Sequence, residues 1–397
     1  MSDSQLPLEH ATNRPDMQDP LLVGLNPEQA QAVSHGEGPL LVLAGAGSGK
    51  TRVITHRMAW LVERMGVPSG RILAVTFSNK AASEMRSRIE TLLGPRGDDL
   101  WLGTFHSIGV RILRQIGHHA GIDRSFTIYD RDDQLKMIKR AMRALNISDK
   151  VVRPRSVASY IDRAKNKCLL PGDSELPRND VFERKAFEIY ARYDADLRLS
   201  NGLDFGDLLM RPFQILTEQP VLRDQYARRF AHVLVDEFQD TNTAQYNLLT
   251  LLVSDHHNLC VVGDDDQSIY SWRGAEIGNI LRFPERFAGT QTIKLERNYR
   301  STKVILAASS AVVSHNQSRH PKVLWTDVET SDPVHMFEAE TDRDEADWVA
   351  RRIEALRRDH PLGECAVFYR TNSQSRVLEE SMNRFRLPYM LIGGLRF

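Results

Sequence analysis

The sequence predicts an α/β protein: a parallel sheet crossed by helices, interrupted by a helical insertion and followed by a second, partial α/β unit. Three observations carry this expectation. Short runs rich in β-branched residues (40-LLVL-43, 72-ILAVTF-77, 232-HVLVDE-237, 259-LCVVGD-264 and 366-AVFYR-370) are each followed by a helical pattern, and that alternation calls for parallel strands joined by crossover helices. Between Arg111 and Asn201 the strand signal fades, and helical periods with many Arg and Lys replace it, as in 183-ERKAFEIYARYDADLRL-199. Beyond Ser301 the alternation resumes, with strand patterns at 334-VHMFEAE-340 and 366-AVFYRTN-372 around a helix near 344-DEADWVARRIEALRR-358.

In chain order, residues 1–24 mix charges, Pro and Asn without an apolar core, the pattern of a mobile tail rather than a signal peptide. The first α/β unit is expected over 25–110 and 202–298, the helical insertion over 111–201, and the second unit over 299–397. The stretch 389-YMLIGGLRF-397 reads as a strand entering a turn with no closing helix, so the second unit is expected to be incomplete. The 397 residues, 41% apolar and 26% charged, suffice for two or three domains. Lys+Arg and Asp+Glu balance at 52 each, so any nucleic-acid binding must come from local patches. Cys168, Cys260 and Cys365 are far apart and lack CxxC spacing, which argues against a disulfide framework or structural zinc and for a reducing interior. Nothing reaches the roughly 18 consecutive apolar residues of a membrane span.

The strand at 40–43 runs into AGAGSGKT, with Lys50 and Thr51 opening a helical pattern. Backbone N–H groups from Ala44, Gly45, Ala46, Gly47, Ser48 and Gly49, facing a helix N-terminus, form a phosphate cradle. Lys50 would reach the outer phosphates and Thr51 would ligate Mg²⁺. The pattern departs from the strict motif in beginning at Ala44 rather than glycine, and a flexible Gly/Ser turn is the alternative reading.

The segment 232-HVLVDEFQDTN-242 delivers two adjacent carboxylates at a strand's C-terminal end, where open α/β sheets place their ligands. Asp236 could hold Mg²⁺ while Glu237 polarises the attacking water; a solvated acidic strand end is the plainer possibility. In 261-VVGDDDQSIYSWRGA-275, Gln267 follows a strand end, as a γ-phosphate sensor or an ordinary loop amide. Tyr270, Trp272 and Arg273 suit base stacking and phosphate contact, with core packing open to either ring. In 295-LERNYRS-301, Arg300 offers a planar charge to the γ-phosphate and Tyr299 a ring to adenine, unless both simply face water.

In this order AGAGSGKT, TFSNKAASEM, GTFHS, VDEFQD, GDDDQSIYSWRGA and LERNYRS resemble the N-terminal half of the UvrD/PcrA/Rep group of superfamily 1 DNA helicases, from about Leu25 to Phe397. The resemblance implies two RecA-like motor domains with helical insertions and ATP-driven 3′→5′ movement along single-stranded DNA, acting at single/double-strand junctions in repair or replication. It implies a bacterial cytoplasmic, nucleoid-associated protein that works beside other repair or replication proteins and not at a membrane. It adds Gln29 in 25-LNPEQAQAV-33 as the adenine reader and Arg52 as a further nucleotide contact. Lys50, Glu237, Gln267 and Arg300 become the catalytic set, with Thr51 and Asp236 on Mg²⁺. For DNA it adds Phe77, Asn79, His106 and Phe205 to Tyr270, Trp272 and Arg273. After Phe205 that group usually carries an acid, whereas this chain has Gly206. The group's later motifs, including a further arginine across the ATP cleft, are not reached before Phe397, so a truncated chain with weak ATP binding and slow hydrolysis is expected. The alternatives are a helicase–nuclease motor subunit without unwinding of its own, and a nucleotide-gated DNA-binding module. A GTPase is disfavoured because 79-NKAA-82 lacks the Asp of N-K-x-D.

Overall fold

Strand-forming runs separated by amphipathic helices condense into eight strands in the computed structural model, which describes residues 16–330 and 332–392. They are β1 (Leu40–Ala44), β2 (Ile72–Thr76), β3 (Trp101–Thr104), β4 (Thr127–Tyr129), β5 (Gly202–Asp204), β6 (His232–Val235), β7 (Leu259–Gly263) and β8 (Gln291–Leu295). Six of them form one sheet in the order β3-β2-β6-β7-β1-β8, every pair parallel. Strands joined by parallel crossovers bury both faces, and side chains alternate between them. Leu40, Val42 and Ala44 accordingly pack with the helices Pro27–Ser34, Lys50–Glu63 and Asn79–Leu93, while Leu41 and Leu43 join the opposite core with Phe105–Ile116, Asp207–Glu218 and Thr243–Leu252. The α/β architecture expected of a RecA-like motor is therefore present.

The helical insertion has a core of its own around Ile138, Ile161, Tyr190 and Tyr193. Its exit and return are zipped by the parallel pair β4–β5, which the sequence reading did not anticipate because each strand is only three residues long. The helix Phe105–Ile116 runs through the expected boundary at 110/111, so the insertion begins beyond it. Its joint to the sheet domain is a buried charge network: Lys165 Nζ lies 2.8 Å from Asp204 and 2.7 Å from Asp207, and Tyr193 donates to Asp204 at 2.7 Å.

Two expectations need correction. The mobile tail at 1–24 does not extend over its last part: Leu21 and Leu22 are buried, and Asp19 pairs with Arg64 at 2.5 Å. Residues 1–15 lie outside the described ones. By packing, residues 299–330 lie with the first compact unit, which runs to Thr330. The second unit, beginning at Ser331, holds the helices Asp342–Leu356 and Ser373–Arg384, as the helical pattern at 344–358 predicted in part, but the expected strands at 334–340 and 366–370 are irregular chain outside any ladder. Met336 and Phe368 are 95% and 93% exposed there; a strand requires a hydrogen-bonded neighbour, and none is present among the described residues. The expected strand at 389–397 falls largely outside the described residues. No helix among them is long and apolar enough to cross a membrane.

Candidate functional site

The loop after β1 is shaped by glycines at positions where a Cβ would be strained or would clash. Gly47 and Gly49 adopt φ of 69° and 92°, left-handed values costly for residues with a Cβ. A Cβ on Gly47 would also stand 2.7 Å from the Arg300 Cβ, and one on Gly45 would stand 2.4 Å from Leu324. The loop is gripped from the segment after β8: Asn298 Nδ2 donates to the Ala46 carbonyl at 2.6 Å and Tyr299 N–H to that of Gly47 at 2.9 Å. This brings the half-exposed Tyr299 and the exposed Arg300 to the loop. Gln29 closes the other side. Its Nε2 donates to the Ser48 carbonyl at 2.8 Å, and its Oε1 accepts the Asn26 N–H at 3.1 Å as half of a capping box. In this conformation the amide shapes the loop with both ends. Thr51 is the second residue of the Lys50–Glu63 helix, followed by the exposed Arg52.

Lys50 Nζ pairs with Glu237 Oε2 at 2.9 Å, so the loop lysine and the acid at the end of β6 meet. Glu237 itself sits at φ 50°, an uncommon conformation for a non-glycine that turns its side chain out of the strand direction. The adjacent Asp236 is buried, and its Oδ1 accepts the Glu237 N–H at 3.1 Å. Burial first and the Glu237 charge second push the Asp236 carboxyl up to about 7, against the pull of Lys50. The same causes raise Asp240 to about 6. The carboxylate of Asp236 and the hydroxyl of Thr51 are hard oxygen donors, the type that suits Mg²⁺.

A polar chain leads onward from this pair. Gln239 Nε2 donates to Glu237 Oε2 at 2.7 Å, while its Oε1 accepts the backbone N–H of Asp264 at 3.0 Å. Asp264 Oδ2 in turn accepts from Gln267 Nε2 at 2.6 Å. Gln267 is thus joined to the Lys50–Glu237 pair through Gln239 and Asp264, neither of which was singled out from the sequence. The three acids Asp264, Asp265 and Asp266 offer oxygens within 4.8 Å of one another, but Lys322 and Arg319 neutralise them, so this cluster is a charge clasp rather than a cation site.

The aromatic candidates gather in two groups. Phe77 stacks on Tyr270 with centroids 5.1 Å apart, Tyr270 approaches Trp272 at 6.4 Å, and the Arg273 guanidinium lies 4.6 Å from the Trp272 ring. His106 meets Phe205 edge-on at 5.6 Å, and burial lowers the His106 pKa, favouring the neutral ring. His106, Phe205, Trp272 and Arg273 line one groove together with Arg163 and Lys167 of the helical insertion. Trp272 is 73% exposed and Phe205 53%, which leaves both rings open to a stacking partner in the groove. Asn79 opens the helix that follows Phe77, exposed to solvent. Of the basic side chains on the helix Pro154–Asn166 and just after it, Arg163 and Lys167 line the groove. Gly206 finds its reason here, since a Cβ would come within 2.9 Å of two carbons of the buried Lys165.

A parallel sheet ending in a glycine-built phosphate loop, opposite a strand-end acid pair, defines a phosphate-loop α/β protein of RecA-like architecture. Residues 25–288 match the family model of the UvrD/REP helicase N-terminal domain, and residues 293–397 that of the UvrD-like helicase C-terminal domain. The chain belongs to the UvrD/REP helicase family. It is 46% identical over 378 residues to the ATP-dependent DNA helicase PcrA of Staphylococcus epidermidis, covering 95% of this chain and 52% of that protein. The protein of the same name from Staphylococcus aureus is 45% identical over the same coverage. The chain spans about half the length of these curated relatives.

Proposed function

We propose that the chain is the ATP-binding and DNA-gripping part of an ATP-dependent 3′→5′ single-stranded DNA translocase and helicase of bacterial DNA repair or replication, working in the cytoplasm at the nucleoid. The observation that carries this is the 2.9 Å pairing of Lys50 with Glu237 at the mouth of the phosphate loop. In the proposed mechanism the loop amides and Lys50 bind the triphosphate, releasing Glu237 from the ion pair to orient and deprotonate the attacking water. Thr51 and Asp236 hold Mg²⁺, which neutralises phosphate charge when bound. Tyr299 stacks on adenine, Gln29 reads its edge after exchanging its contact with Ser48, Arg52 adds a further contact, and Arg300 faces the γ-phosphate. Gln267 senses that phosphate and passes its state to the loop bearing Tyr270, Trp272 and Arg273. Those rings, with Phe77, Asn79, His106 and Phe205, grip DNA bases and backbone independently of sequence, because every base presents a π face.

Phosphate release with and without single-stranded DNA tests the reading. Slow, DNA-stimulated turnover that Glu237→Gln abolishes while ATP binding persists is the expected result. Absence of nucleotide uptake would overturn it. DNA affinity that responds to ATP without any turnover would instead favour a nucleotide-gated binding module.

A further inference from the structure

We propose that Lys322 is a positioning residue for Gln267, coupling the phosphate loop to the base-stacking loop; the inference rests on the motor reading and names one part of its coupling. Lys322 has a side chain only 2% exposed, yet it carries a charge among three acids, 2.9 Å from Asp264 Oδ1, 2.6 Å from Asp266 Oδ2 and in contact with Asp265. A buried ammonium is tolerated only when held this closely, and a hydrophobic side chain would serve simple packing as well or better. What sets this lysine apart from structural glue is the division of labour within Asp264. One carboxylate oxygen takes Lys322, the other takes the Gln267 amide at 2.6 Å, and the same residue's N–H binds Gln239 at 3.0 Å. Lys322, with the Asp266 N–H that donates to the same oxygen at 3.2 Å, therefore fixes the plane of the carboxylate that sets the orientation of Gln267. From it the polar chain runs through Asp264, Gln239 and Glu237 to Lys50.

The residues beside Lys322 hold the phosphate loop from a second side. The Leu324 side chain fills the space over Gly45, and the Trp325 carbonyl accepts the N–H of Asn298, whose amide grips Ala46. Arg319 adds a two-pronged contact to Asp266, at 2.8 and 2.7 Å. The segment 319–325 thus touches the loop that binds phosphate and the loop that carries Gln267 and Trp272. A shift of this segment would act on both loops, because it is bonded to one and packed on the other.

The test is the factor by which a non-hydrolysable ATP analogue with Mg²⁺ changes the affinity for a fluorescent oligo-dT strand, read by anisotropy. For the unaltered protein a factor within about 5–150 is expected, the usual range of such couplings. Lys322→Met should bring it close to one, Lys322→Arg should restore much of it, and Arg319→Ala, which leaves Asp264 and Gln267 bonded, should retain it. In a Gln267→Ala background Lys322→Met should change nothing further, because both act through one amide. Should Lys322→Met unfold the chain, the paired change Lys322→Met/Asp265→Asn removes one charge of each sign and takes its place. A Lys322→Met protein with an unaltered factor overturns the proposal, as do independent, multiplying losses from Lys322 and Gln267. An unaltered protein that binds both ligands with a factor of one also overturns it, while leaving the nucleotide and DNA sites standing; failure to bind nucleotide at all overturns the motor reading instead.

Discussion

Gly206 shows how one missing methyl group carries structural information. The buried Lys165 side chain passes so near its Cα that a Cβ would stand 2.8 Å from Cδ and 2.9 Å from Cβ of the lysine. Lys165 cannot retreat cheaply, because Asp204 and Asp207 hold its ammonium in a dry site. Gly206→Ala is therefore expected to destabilise the protein by roughly 1–3 kcal/mol in urea unfolding, the usual cost of overpacking, and an unmoved midpoint would show that the lysine swings aside. The exposed Trp272 is expected to behave in the opposite way. Trp272→Ala should leave thermal stability and nucleotide affinity in place and weaken single-stranded DNA binding by about 1–3 kcal/mol, the worth of one base stack. Titration of labelled oligonucleotide checks it, and loss of nucleotide binding instead would place the residue in the wrong site.

At the scale of elements, the phosphate loop and the helix Pro27–Ser34 are held by devices that their own sequences hardly advertise. Arg57 is fully buried and donates to the carbonyls of His35 at 2.5 Å, Gly36 at 3.1 Å, and Ala32 and Val33 at 3.3 Å. It supplies donors where the end of that helix leaves carbonyls unpaired, and a cation is favoured at a helix C-terminus. Arg57→Leu fills similar space but orphans those carbonyls, so a loss of roughly 2–4 kcal/mol in denaturant unfolding is expected. In the phosphate loop, Gly47→Ala combines a left-handed φ with a 2.7 Å approach to Arg300. It is expected to abolish nucleotide binding measured by fluorescence while the circular dichroism of the fold persists.

For the molecule as a whole, charge balance conceals local fields. With 52 basic and 52 acidic side chains there is no global attraction for nucleic acid, yet Arg163, Lys167 and Arg273 line the groove that holds Phe205 and Trp272. If those three meet phosphates, log affinity for single strands should fall with log salt at a slope of about −2. A flat salt response would remove DNA from the groove. Acid stability is expected to depend on His232, which burial and the positive charges of Arg57, His256, His35 and Arg71 hold down at about 3. Below its unfolded value near 6.5 the unfolded chain takes up the proton and the native protein does not, so the stability it contributes is complete above about 6.5 and is lost as pH falls toward 3. The slope is at most roughly 1.4 kcal/mol per pH unit, and His232→Gln should flatten the acid limb of a denaturation series.

Four of the six strands in the main sheet, the glycine loop before Lys50 and the acids at the end of β6 were readable from residues alone, because β-branched runs, glycines before Lys-Thr and adjacent carboxylates at a strand end are local patterns with local causes. β3 and β8 escaped: WLGT is four residues long, and 291-QTIKL-295 alternates like an exposed edge. The strand patterns at 334–340 and 366–370 misled for the converse reason, since propensity creates no strand without a neighbour to bond. Which distant side chains meet was decided only in three dimensions. Lys50 and Glu237 lie 187 positions apart, and Lys322 reaches Asp264 across another 58. Contacts of that span follow from sheet order and from the enclosure of charge in a dry interior, and no periodicity along the chain records either.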